Sequence, residues 1–405
     1  MRCSLRKKTL IKQILLYLGL LPLLNFNAQA LKLYLLSNHD NAGDHDQVLG
    51  ILTAFKKLSD QTLSFKDLNT KITSPAKIKE EIEKDLLREK IIVVGAGEGG
   101  IDGITDLLAK PNLIICLMSH MFLERYKDPS LLEKIKFIAL PTHVSVETKE
   151  RLGEKLIETT GVAHNRLPGE ADKVYEKWGK KELPACKTYL GVILGGDAPT
   201  PWPAKAIKLF TETDATKLAD YVFQNAKEAC ILVLNGPRTG KHDRNKKEIP
   251  NVHRKGYSDH ITKLFKQKLL AKGIKNIKVF DFQHNIPENK TWVSPYNSFD
   301  LVLGALRSTN GKILVPGSST SSISEALDTL PRGRVIVYED SAMNEVHKSH
   351  LASELTAGRI TVLENYHNIK SSTSNSDKPQ SNAAMIIAHK LWEEASQSLQ
   401  QDEAP

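Results

Sequence analysis

Hydroxyl side chains are concentrated at one point of the sequence, where an apolar run gives way to a helical pattern. Residues 315–331, VPGSSTSSISEALDTLP, hold five serines and one threonine between positions 318 and 324. Free N–H groups at a helix start attract anions, and hydroxyl groups add further donors. We expect a diphosphate to bind Ser319, Thr320 and Ser321, and ribose hydroxyls to donate to Glu325 one turn later. The alternative is an ordinary helix start capped by a serine or threonine.

Basic side chains follow a second apolar run, in VLNGPRTGKHD at residues 233–243. Arg238 can grip a phosphate through two parallel hydrogen bonds, and Thr239 adds a hydroxyl beside it. The pattern predicts that both residues belong to the anion site of the same half of the chain. A solvated basic loop is the alternative for residues 238–247.

Acid–base groups follow the first apolar run, in SNHDNAGDHDQVLG at residues 37–50. Gly43 permits a tight turn before a helix that is predicted to begin near Asp46. Asp44 and His45 would then stand at the mouth of a cleft, where a carboxylate and an imidazole can exchange protons with a substrate. Simple N-capping of the helix by Asp44 or Asp46 is the alternative.

A glycine-rich stretch, IIVVGAGEGGI at residues 91–101, fits the G-x-G-x-x-G dinucleotide fingerprint at Gly95, Gly97 and Gly100. That fingerprint belongs on the first strand-to-helix turn, with a carboxylate at the end of the next strand. Here the turn follows the third predicted strand, and the next strand ends at His120 without a carboxylate. We therefore predict no nicotinamide, flavin or other cofactor. The glycines bring the backbone close to a ligand or to the opposing domain, or they form a plain tight turn.

Short apolar runs alternate with amphipathic segments of helical length along the chain. The predicted strands are residues 31–37, 63–68, 90–96, 112–119, 136–142, 189–196, 229–236, 276–282, 311–317 and 333–339. Ser74 and Pro75 supply the N-cap and first residue of one intervening helix. Continuous apolar strands with helical crossovers are typical of parallel sheets covered on both faces. The fold class is therefore predicted as α/β.

The alternation divides into two halves of similar size. It weakens between residues 166 and 187, where proline, glycine and charged residues accumulate. We expect a Rossmann-like domain over residues 31–165, a linker over 166–187 and a Rossmann-like, nucleotide-binding domain over 188–368, with a cleft between the domains. Residues 369–405 are predicted to form a flexible link and a last helix.

The first thirty residues differ from the rest of the chain. Five basic residues and no acid accompany an apolar run at residues 14–26, and Ala28 and Ala30 occupy the small-residue positions of a cleavage site. This pattern predicts a signal peptide over residues 1–30, and hence an exported chain, periplasmic or secreted. The alternative is a membrane anchor formed by residues 14–26, although a spanning helix needs roughly 20 apolar residues.

Neither metal nor a disulfide framework is expected. No Cys-x-x-Cys or mixed Cys/His ligand spacing occurs, so no metal site is predicted. Cys116 and Cys230 lie inside apolar runs and resemble small core residues, while Cys186 lies in the predicted linker. Three cysteines remain once Cys3 leaves with the signal peptide, and an odd number argues against a complete disulfide framework.

Charge gives no support to the binding of nucleic acid. The formal net charge is +9, but five positive charges fall within residues 1–30, which leaves about +4 for the remainder. No cluster of Lys and Arg interleaved with aromatic residues stands out. Nucleic acid is therefore not an expected partner.

Several short motifs occur in an order that resembles the mitochondrial-fission "elongated mitochondria" family and its bacterial homologues. The matching residues are Gly43, Gln47 and Gly50 at a helix start, Pro141 and His143, Gly161 and His164, Arg238 and Thr239, Pro295 and Tyr296, and Ser319, Ser321, Ser324, Glu325 and Ala326. The matches cover most of the chain beyond the predicted signal peptide. Two positions depart from the family pattern, because Ser318 replaces an aspartate and Val144 replaces an acid.

The resemblance implies the GT-B architecture of glycosyltransferases, with a nucleoside-diphosphate sugar held mainly by the C-terminal half. It implies that Gly43 and Gln47 contribute to that site and that His143 joins Asp44 and His45 as a candidate catalytic residue. It also implies metal-independent glycosyl transfer to an unknown acceptor, since helix ends and basic groups balance the diphosphate charge. The alternative is a non-catalytic, exported interaction protein that retains the fold.

Overall fold

The computed structural model describes residues 31–58, 63–199, 206–226, 228–250, 258–282, 295–371 and 382–401. These residues form two α/β domains, each built on a parallel sheet with an apolar cluster on either face. The predicted fold class, two Rossmann-like domains, is confirmed. The predicted signal peptide (residues 1–30) and most of the predicted flexible link (residues 372–381) lie outside the described residues.

The N-terminal domain is built on a six-stranded parallel sheet. Its strands are β1 (Leu31–Ser37), β2 (Ser64–Asn69), β3 (Lys90–Ala96), β4 (Leu113–Met118), β5 (Phe137–Pro141) and β6 (Leu156–Thr159). Its helices are α1 (Ala42–Leu58), α2 (Pro75–Asp85), α3 (Gly97–Gly103), α4 (Pro129–Lys134) and α5 (Val146–Leu152), with 3-10 turns at Glu124–Lys127 and Gly153–Lys155. The strand order is β2-β1-β3-β4-β5-β6. In such a sheet, the crevice lies at the carboxyl ends of β1 and β3, where the order reverses.

The strands of this sheet are apolar on both faces because helices cover both faces. Leu33 and Leu35 of β1 pack into the cluster that contains α1, whereas Tyr34 and Leu36 pack into the opposite cluster, which contains α2. Alternate side chains therefore serve two cores, and the polar loop residues are left at the strand ends.

The C-terminal domain is built on a seven-stranded sheet. Its strands are β7 (Tyr189–Ile193), β10 (Cys230–Leu234), β11 (Ile277–Phe280), β12 (Lys312–Pro316), β13 (Val335–Tyr338), β14 (Thr361–Glu364) and β15 (Asn368–Ser371), while β8 (Ala198–Pro199) and β9 (Ile207–Lys208) form a separate antiparallel pair. The helices are α6 (Pro168–Glu182), α7 (Glu212–Asn225), α8 (His260–Ala271), α9 (Ser298–Ser308), α10 (Thr320–Thr329), α11 (Glu345–Thr356) and α12 (Ala383–Gln401).

The strand order of the second sheet is β11-β10-β7-β12-β13-β14-β15, and β15 alone is antiparallel to its neighbour. With β7 as the first strand of the domain, this is the 3-2-1-4-5-6 order of the Rossmann fold. The order reverses between β7 and β12. The loops after these two strands therefore flank the position at which such domains bind ligands.

The predicted linker contains a helix that packs on the C-terminal domain. A Cβ at Gly304 of α9 would lie 2.2 Å from the carbonyl oxygen of Ala171 in α6, so the two helices approach as closely as glycine allows. Arg307 donates two hydrogen bonds to the carboxylate of Asp172, of 2.8 and 3.1 Å. The segment is therefore anchored to the second domain.

Cysteine pairing differs from the expectation. Cys186, which follows α6, forms a disulfide with Cys230 at the start of β10, across a Cα–Cα distance of 6.1 Å. Cys230 lies in the core of the domain, as expected, but it is also paired, because packing of α6 brings the segment after the helix beside β10. Cys116 is buried and is the one free cysteine among the described residues.

The last helix, α12, crosses back onto the N-terminal domain. Ile387 and Leu391 join the cluster around Phe55 of α1, and the rings of Phe55 and Trp392 lie 6.2 Å apart. The buried Lys90 donates from Nζ to the carbonyl oxygen of Ala395 at 2.9 Å. Neither α12 nor any other described helix is long and apolar enough to cross a membrane.

Candidate functional site

The N-termini of α1 and α10 face each other across the two domains. A Cβ at Gly43, in the first turn of α1, would lie 3.5 Å from Oγ of Ser321 in the first turn of α10. Each helix follows a strand at which the sheet order reverses, β1 in one domain and β12 in the other. The free N–H groups and positive dipole ends of two helices thus meet in one cleft, which favours an anion between them.

The hydroxyl-rich turn at the start of α10 contains hydroxyl groups that do not cap the helix. Ser319 is the N-cap residue but makes no capping hydrogen bond, and its Oγ donates instead to Ser322 Oγ at 2.9 Å. The Oγ1 atom of Thr320 is buried without a hydrogen-bond partner. Ordinary side-chain capping, the alternative interpretation of this turn, is therefore not what the structure shows. A buried hydroxyl without a partner is costly, and a ligand oxygen beside it would satisfy it.

Two other serines of this stretch have structural partners. Ser318 donates from its backbone N and its Oγ to the carboxylate of Asp340, at 3.2 and 2.9 Å. Burial raises the pKa of Asp340 to about 7, although these hydrogen bonds oppose the rise. Ser324 Oγ accepts a hydrogen bond from Val162 N of the other domain at 3.1 Å. The hydroxyls that remain for a ligand are those of Ser319, Thr320 and Ser321.

Glu325 is held by Arg166, in the segment that joins the two domains. Arg166 donates from Nε to Glu325 Oε2 at 3.0 Å and from Nη1 to Asp300 Oδ2 at 2.9 Å. Burial raises the pKa of Glu325, and the charge of Arg166 opposes that rise. The predicted ribose acceptor is thus committed to a contact with this segment, which the sequence did not reveal. Its role towards ribose stays a prediction.

Arg238 and Thr239 lie in the turn after β10 but face different partners. The exposed Arg238 makes no ion pair with any residue that the structure describes, and neither do Lys246 and Lys247 at the far end of this loop. Lys241 pairs with Glu248, His242 with Asp197 and Arg244 with Glu212. Thr239 is buried, and its Oγ1 accepts a hydrogen bond from Gly236 N at 3.0 Å. Arg238 is therefore an available cation, and Thr239 stabilises the turn that carries it.

Four histidines surround the same cleft. His120 and His143 follow β4 and β5 of the N-terminal domain, and His347 and His350 lie on α11 of the C-terminal domain. The rings of His143 and His350 are 5.0 Å apart, and both nitrogens of His143 are buried without partners. Burial lowers the pKa of His143 to about 4. Burial, the charge of Arg238 and the proximity of His143 lower the pKa of His120 to about 4.

Of these histidines, the sequence predicted only His143 as functional. The sequence places His120 at the end of a predicted strand but gives it no role. His347 and His350 carry no local signal, because a histidine on a helix gives no indication of the element that it faces. The influence of Arg238 on the pKa of His120 shows that the cation of one domain acts on the imidazole of the other.

Asp44 is a buried carboxyl at the start of α1. It accepts hydrogen bonds from Asn41 Nδ2 at 2.6 Å and from Gln47 Nε2 at 3.4 Å, so Gln47 positions it. Burial, followed by the charge of Glu98, raises the pKa of Asp44 to about 6. α1 begins at Ala42, earlier than the predicted start near residue 46, so Asp44 lies in the first turn and is not the N-cap.

The glycine-rich turn after β3 packs closely against the carboxyl group of Asp44. Gly97 has φ +59°, and a Cβ there would lie 2.2 Å from Asp44 Oδ2. Gly95 and Gly100 pack against each other, and a Cβ at Gly100 would lie 2.5 Å from the carbonyl carbon of Gly95. The glycines therefore bring the backbone close to residues of their own domain, and the expected approach to the opposing domain is not observed for them.

His45 points towards a different part of the domain from Asp44. Its Nε2 lies 2.8 Å from Oδ2 of Asp67 in β2, whereas Asp44 contacts Gly97 after β3. Because β2 and β3 flank β1 on opposite sides, the two neighbouring residues serve different surroundings. The structure brings Gly43, Asp44, Arg238, His143 and the α10 hydroxyls to one cleft, and it groups His45 with Asp67.

Comparison with known proteins locates the fold and not the activity. No protein-family model matches the chain, and no curated protein matches it. Similar solved structures include the UDP-GlcNAc 2-epimerase from Methanocaldococcus jannaschii, with 14% identity, a TM-score of 0.49, and coverage of 90% of this chain and 99% of that chain. The S. aureus MnaA–UDP structure has 10% identity, a TM-score of 0.43 and coverage of 91% and 90%.

The Acinetobacter baumannii MurG structure is similar at 10% identity and a TM-score of 0.38, with coverage of 91% of this chain and 94% of that chain. At these identities the likeness concerns the arrangement of two α/β domains alone, and neither a ligand nor a reaction of this chain follows from it. Membership of the mitochondrial-fission family stays a prediction.

Proposed function

We propose that the chain binds a nucleoside-diphosphate sugar in the cleft between its domains and transfers the sugar to an acceptor. The observation that carries the proposal is the start of α10, where an uncapped helix N-terminus with a buried, unpartnered hydroxyl on Thr320 faces the N-terminus of α1. Two such ends in one cleft suit a ligand with concentrated negative charge. This turn follows the strand at which the Rossmann strand order reverses, and that position supports the proposal of a nucleotide site there.

The C-terminal domain supplies the groups for the diphosphate. The N–H groups of Thr320 and Ser321 and the hydroxyls of Ser319, Thr320 and Ser321 are the proposed donors to its oxygens, which requires Ser319 Oγ to give up its hydrogen bond to Ser322. Arg238 supplies the positive charge. Glu325 is the proposed ribose acceptor, which requires it to share its carboxylate between Arg166 and the ribose.

The N-terminal domain supplies the groups for proton transfer. In glycosyl transfer the bond between the sugar C1 and the diphosphate oxygen breaks, a bond to the acceptor oxygen forms, and the acceptor loses its proton. Asp44 and the imidazole of His143 lie at the edge of this domain that faces the cleft, where either can take that proton. Helix N-termini and Arg238 stabilise the departing diphosphate, so the proposal requires no metal ion.

The disulfide supports the further proposal that the chain is exported. Disulfides form and persist mainly in oxidising compartments, and Cys186 and Cys230 are paired. The predicted signal peptide would deliver the chain to such a compartment. N-terminal sequencing of protein recovered from the producing cell tests this, since cleavage should leave Leu31 as the first residue.

Two matched variants of α10 test the nucleotide site. Thr320 and Thr329 both have a buried Oγ1 without a partner, one at each end of the helix. Valine in place of either removes an unsatisfied hydroxyl at almost constant shape, so we expect both variants to fold at least as stably as the parent. Only Thr320→Val should weaken nucleotide binding, by about tenfold to a hundredfold, since a hydrogen bond to a charged group contributes about 1.5–3 kcal/mol.

The measurement is a thermal-shift screen with UDP-, GDP- and ADP-sugars, followed by calorimetric titration of the best ligand. A ligand that binds only the folded chain raises its melting temperature. The proposal fails if no nucleotide at millimolar concentration shifts the parent protein. Equal weakening by Thr320→Val and Thr329→Val would remove the start of α10 from the site.

A further inference from the structure

Three side chains with metal-binding atoms converge at one edge of the N-terminal sheet. His39 Nε2 lies 3.2 Å from Asp67 Oδ1, and His45 Nε2 lies 2.8 Å from Asp67 Oδ2. The ligand atoms of the three residues all lie within 4.8 Å of one another, and no other group of three or more His, Cys, Asp or Glu in the described part of the chain meets that criterion. We propose that His39, His45 and Asp67 bind a divalent transition-metal ion of the zinc class.

Each histidine lies beside a different oxygen of Asp67, so a single ion would be held by two imidazole nitrogens and by one or both oxygens of that carboxylate. Two ligand atoms that are each about 2.1 Å from a zinc ion lie about 3.0 Å apart at a right angle and about 3.4 Å apart at the tetrahedral angle. The observed separations of 2.8 and 3.2 Å fall at or just below this range. The rings of His39 and His45 are stacked, with centroids 4.0 Å apart and an interplanar angle of 22°.

Backbone contacts hold the three ligands in place. Asp67 lies within β2 and pairs in register with Leu35 of β1, while His45 lies on α1. The loop that carries His39 is tied to the end of β2, because Asn69 Oδ1 accepts hydrogen bonds from the backbone N atoms of His39 and Lys71, at 3.3 and 3.1 Å. Ligands fixed by a strand, a helix and a braced loop need little reorganisation to bind an ion.

The donor set selects the class of ion. Two imidazole nitrogens and one carboxylate suit Zn²⁺ and its first-row neighbours, whereas Mg²⁺ and Ca²⁺ prefer oxygen ligands alone. The side chains of the three residues are 25–29% exposed. Three protein ligands at a partly exposed position leave at least one coordination site for water or a substrate atom, as in catalytic rather than structural zinc sites.

The site is separate from the proposed nucleotide site but shares a helix with it. His45 follows Asp44 directly in α1, so a bound ion would place positive charge close to the cleft. Because the proposed transfer reaction requires no metal, loss of metal binding and loss of nucleotide binding are separate outcomes. The same contacts would also arise from hydrogen bonds between the two histidines and Asp67 without any ion, and the experiment distinguishes the two cases.

The experiment is a titration of the full chain, purified with a tag that contains no histidine and freed of metal with a chelator. Zn²⁺ is added in competition with a chromophoric chelator, and Co²⁺ is used in parallel to record the visible spectrum of the bound ion. We expect one equivalent of Zn²⁺ per chain and no displacement by millimolar Mg²⁺. His39→Ala, His45→Ala and Asp67→Asn should each weaken Zn²⁺ binding at least tenfold.

His367→Ala and His389→Ala are the matched controls, because both remove an exposed histidine elsewhere on the chain. They should bind Zn²⁺ as the parent does. Melting curves of all five variants without metal show whether each is folded, and a ligand variant that fails to fold is replaced by His39→Gln or His45→Gln. The proposal is overturned if the parent binds no Zn²⁺ tighter than micromolar, or if folded ligand variants retain the parent's affinity and Co²⁺ spectrum.

Discussion

The two domains share an architecture but bring different chemistry to the cleft between them. The C-terminal domain presents hydroxyls, a helix N-terminus and the unpaired cation Arg238. The N-terminal domain presents a buried carboxyl, Asp44, and the imidazoles of His120 and His143. The N-terminal face is therefore made mainly of groups that titrate, whereas the C-terminal face combines hydroxyl and guanidinium donors with the two histidines of α11, His347 and His350.

Burial shifts the ionisable groups of the N-terminal face towards their neutral forms. It raises the pKa of Asp44 to about 6 and lowers that of His143 to about 4, so both groups are displaced towards their neutral forms. His143 in its neutral form adds no charge to the cleft, whereas Asp44 is still largely ionised at neutral pH and loses its charge only in mild acid. The comparison indicates a division of roles, with binding in the C-terminal domain and proton transfer in the N-terminal domain.

The first test removes Arg166, which ties the segment between the domains to the C-terminal face. Arg166→Met leaves Glu325 and Asp300 without the cation that both now contact. Removing one partner of a buried ion pair costs about 3–5 kcal/mol, because the remaining charge is left uncompensated. We expect a loss of that size in the free energy of unfolding at pH 8, measured by denaturant titration.

The loss should shrink as the pH falls. Burial raises the pKa values of Glu325 and Asp300, and Arg166 opposes both rises. Without Arg166 the two carboxyls take up protons more readily in the folded state, so the penalty disappears as they become neutral. Arg166→Lys is the control that keeps a charge, and a penalty independent of pH would show that the contact acts through packing alone. In parallel, Glu325→Gln should weaken nucleotide binding only if Glu325 also contacts the ribose.

The second test removes the disulfide, which the C-terminal domain has and the N-terminal domain lacks. The Cys186–Cys230 bridge joins residues 44 apart in sequence, whereas the free Cys116 lies in the N-terminal sheet. Reduction should cost about 2–4 kcal/mol of stability, because the bridge limits the freedom of the unfolded segment. Unfolding should be compared with and without dithiothreitol.

The cysteine variants separate the bridge from general effects of the reductant. Cys186→Ser should unfold as the reduced parent does and should no longer respond to dithiothreitol. Cys116→Ser removes the thiol outside the bridge and should keep the response. If the oxidised and reduced parents unfold at the same denaturant concentration, the bridge does not hold α6 to the C-terminal domain.

The sequence predicted elements whose evidence is local. β1 and β3 have the predicted bounds. Each is a largely apolar run of seven residues between polar turns, and this pattern fits only one placement of the strand. The hydroxyl-rich start of α10 was found because its signal is confined to seven residues. β6 and β14 were missed because each has four residues and ends beside a glutamate or threonine, so their strand character depends on pairing with a neighbour.

The site features that escaped prediction depend on contacts distant in sequence. Asp67 reaches His45 because β2 pairs with β1 in one particular register, and no spacing along the chain encodes that pairing. Glu325 lies at the position that the motif indicates, yet its partner is Arg166, in the segment that joins the two domains. The type of each side chain and the helix or strand that carries it could be predicted from the neighbouring sequence. The partner of each buried charge could not.

The last test concerns the histidines of the cleft whose pKa values burial lowers. Burial lowers the pKa of His143 to about 4, so the unfolded chain binds a proton on this residue near pH 6.5 while the folded chain does not. Stability should therefore fall with decreasing pH between about 6.5 and 4, by up to about 1.4 kcal/mol per pH unit for this histidine. His120 and His347, whose pKa values burial also lowers to about 4, add to the same slope.

His143→Phe should remove the contribution of this histidine to the dependence of stability on pH. Phenylalanine keeps a ring beside His350, now 5.0 Å from His143, and removes two buried nitrogens that have no partner. We expect unchanged or higher stability at pH 7.5 and a shallower loss between pH 6.5 and 5, measured by denaturant titration at each pH. His389→Gln, at an exposed position on α12, is the control for removal of a histidine. A variant whose stability falls as steeply as the parent's would mean that His143 is hydrated in solution, and the comparison of the two faces would then lose its physical basis.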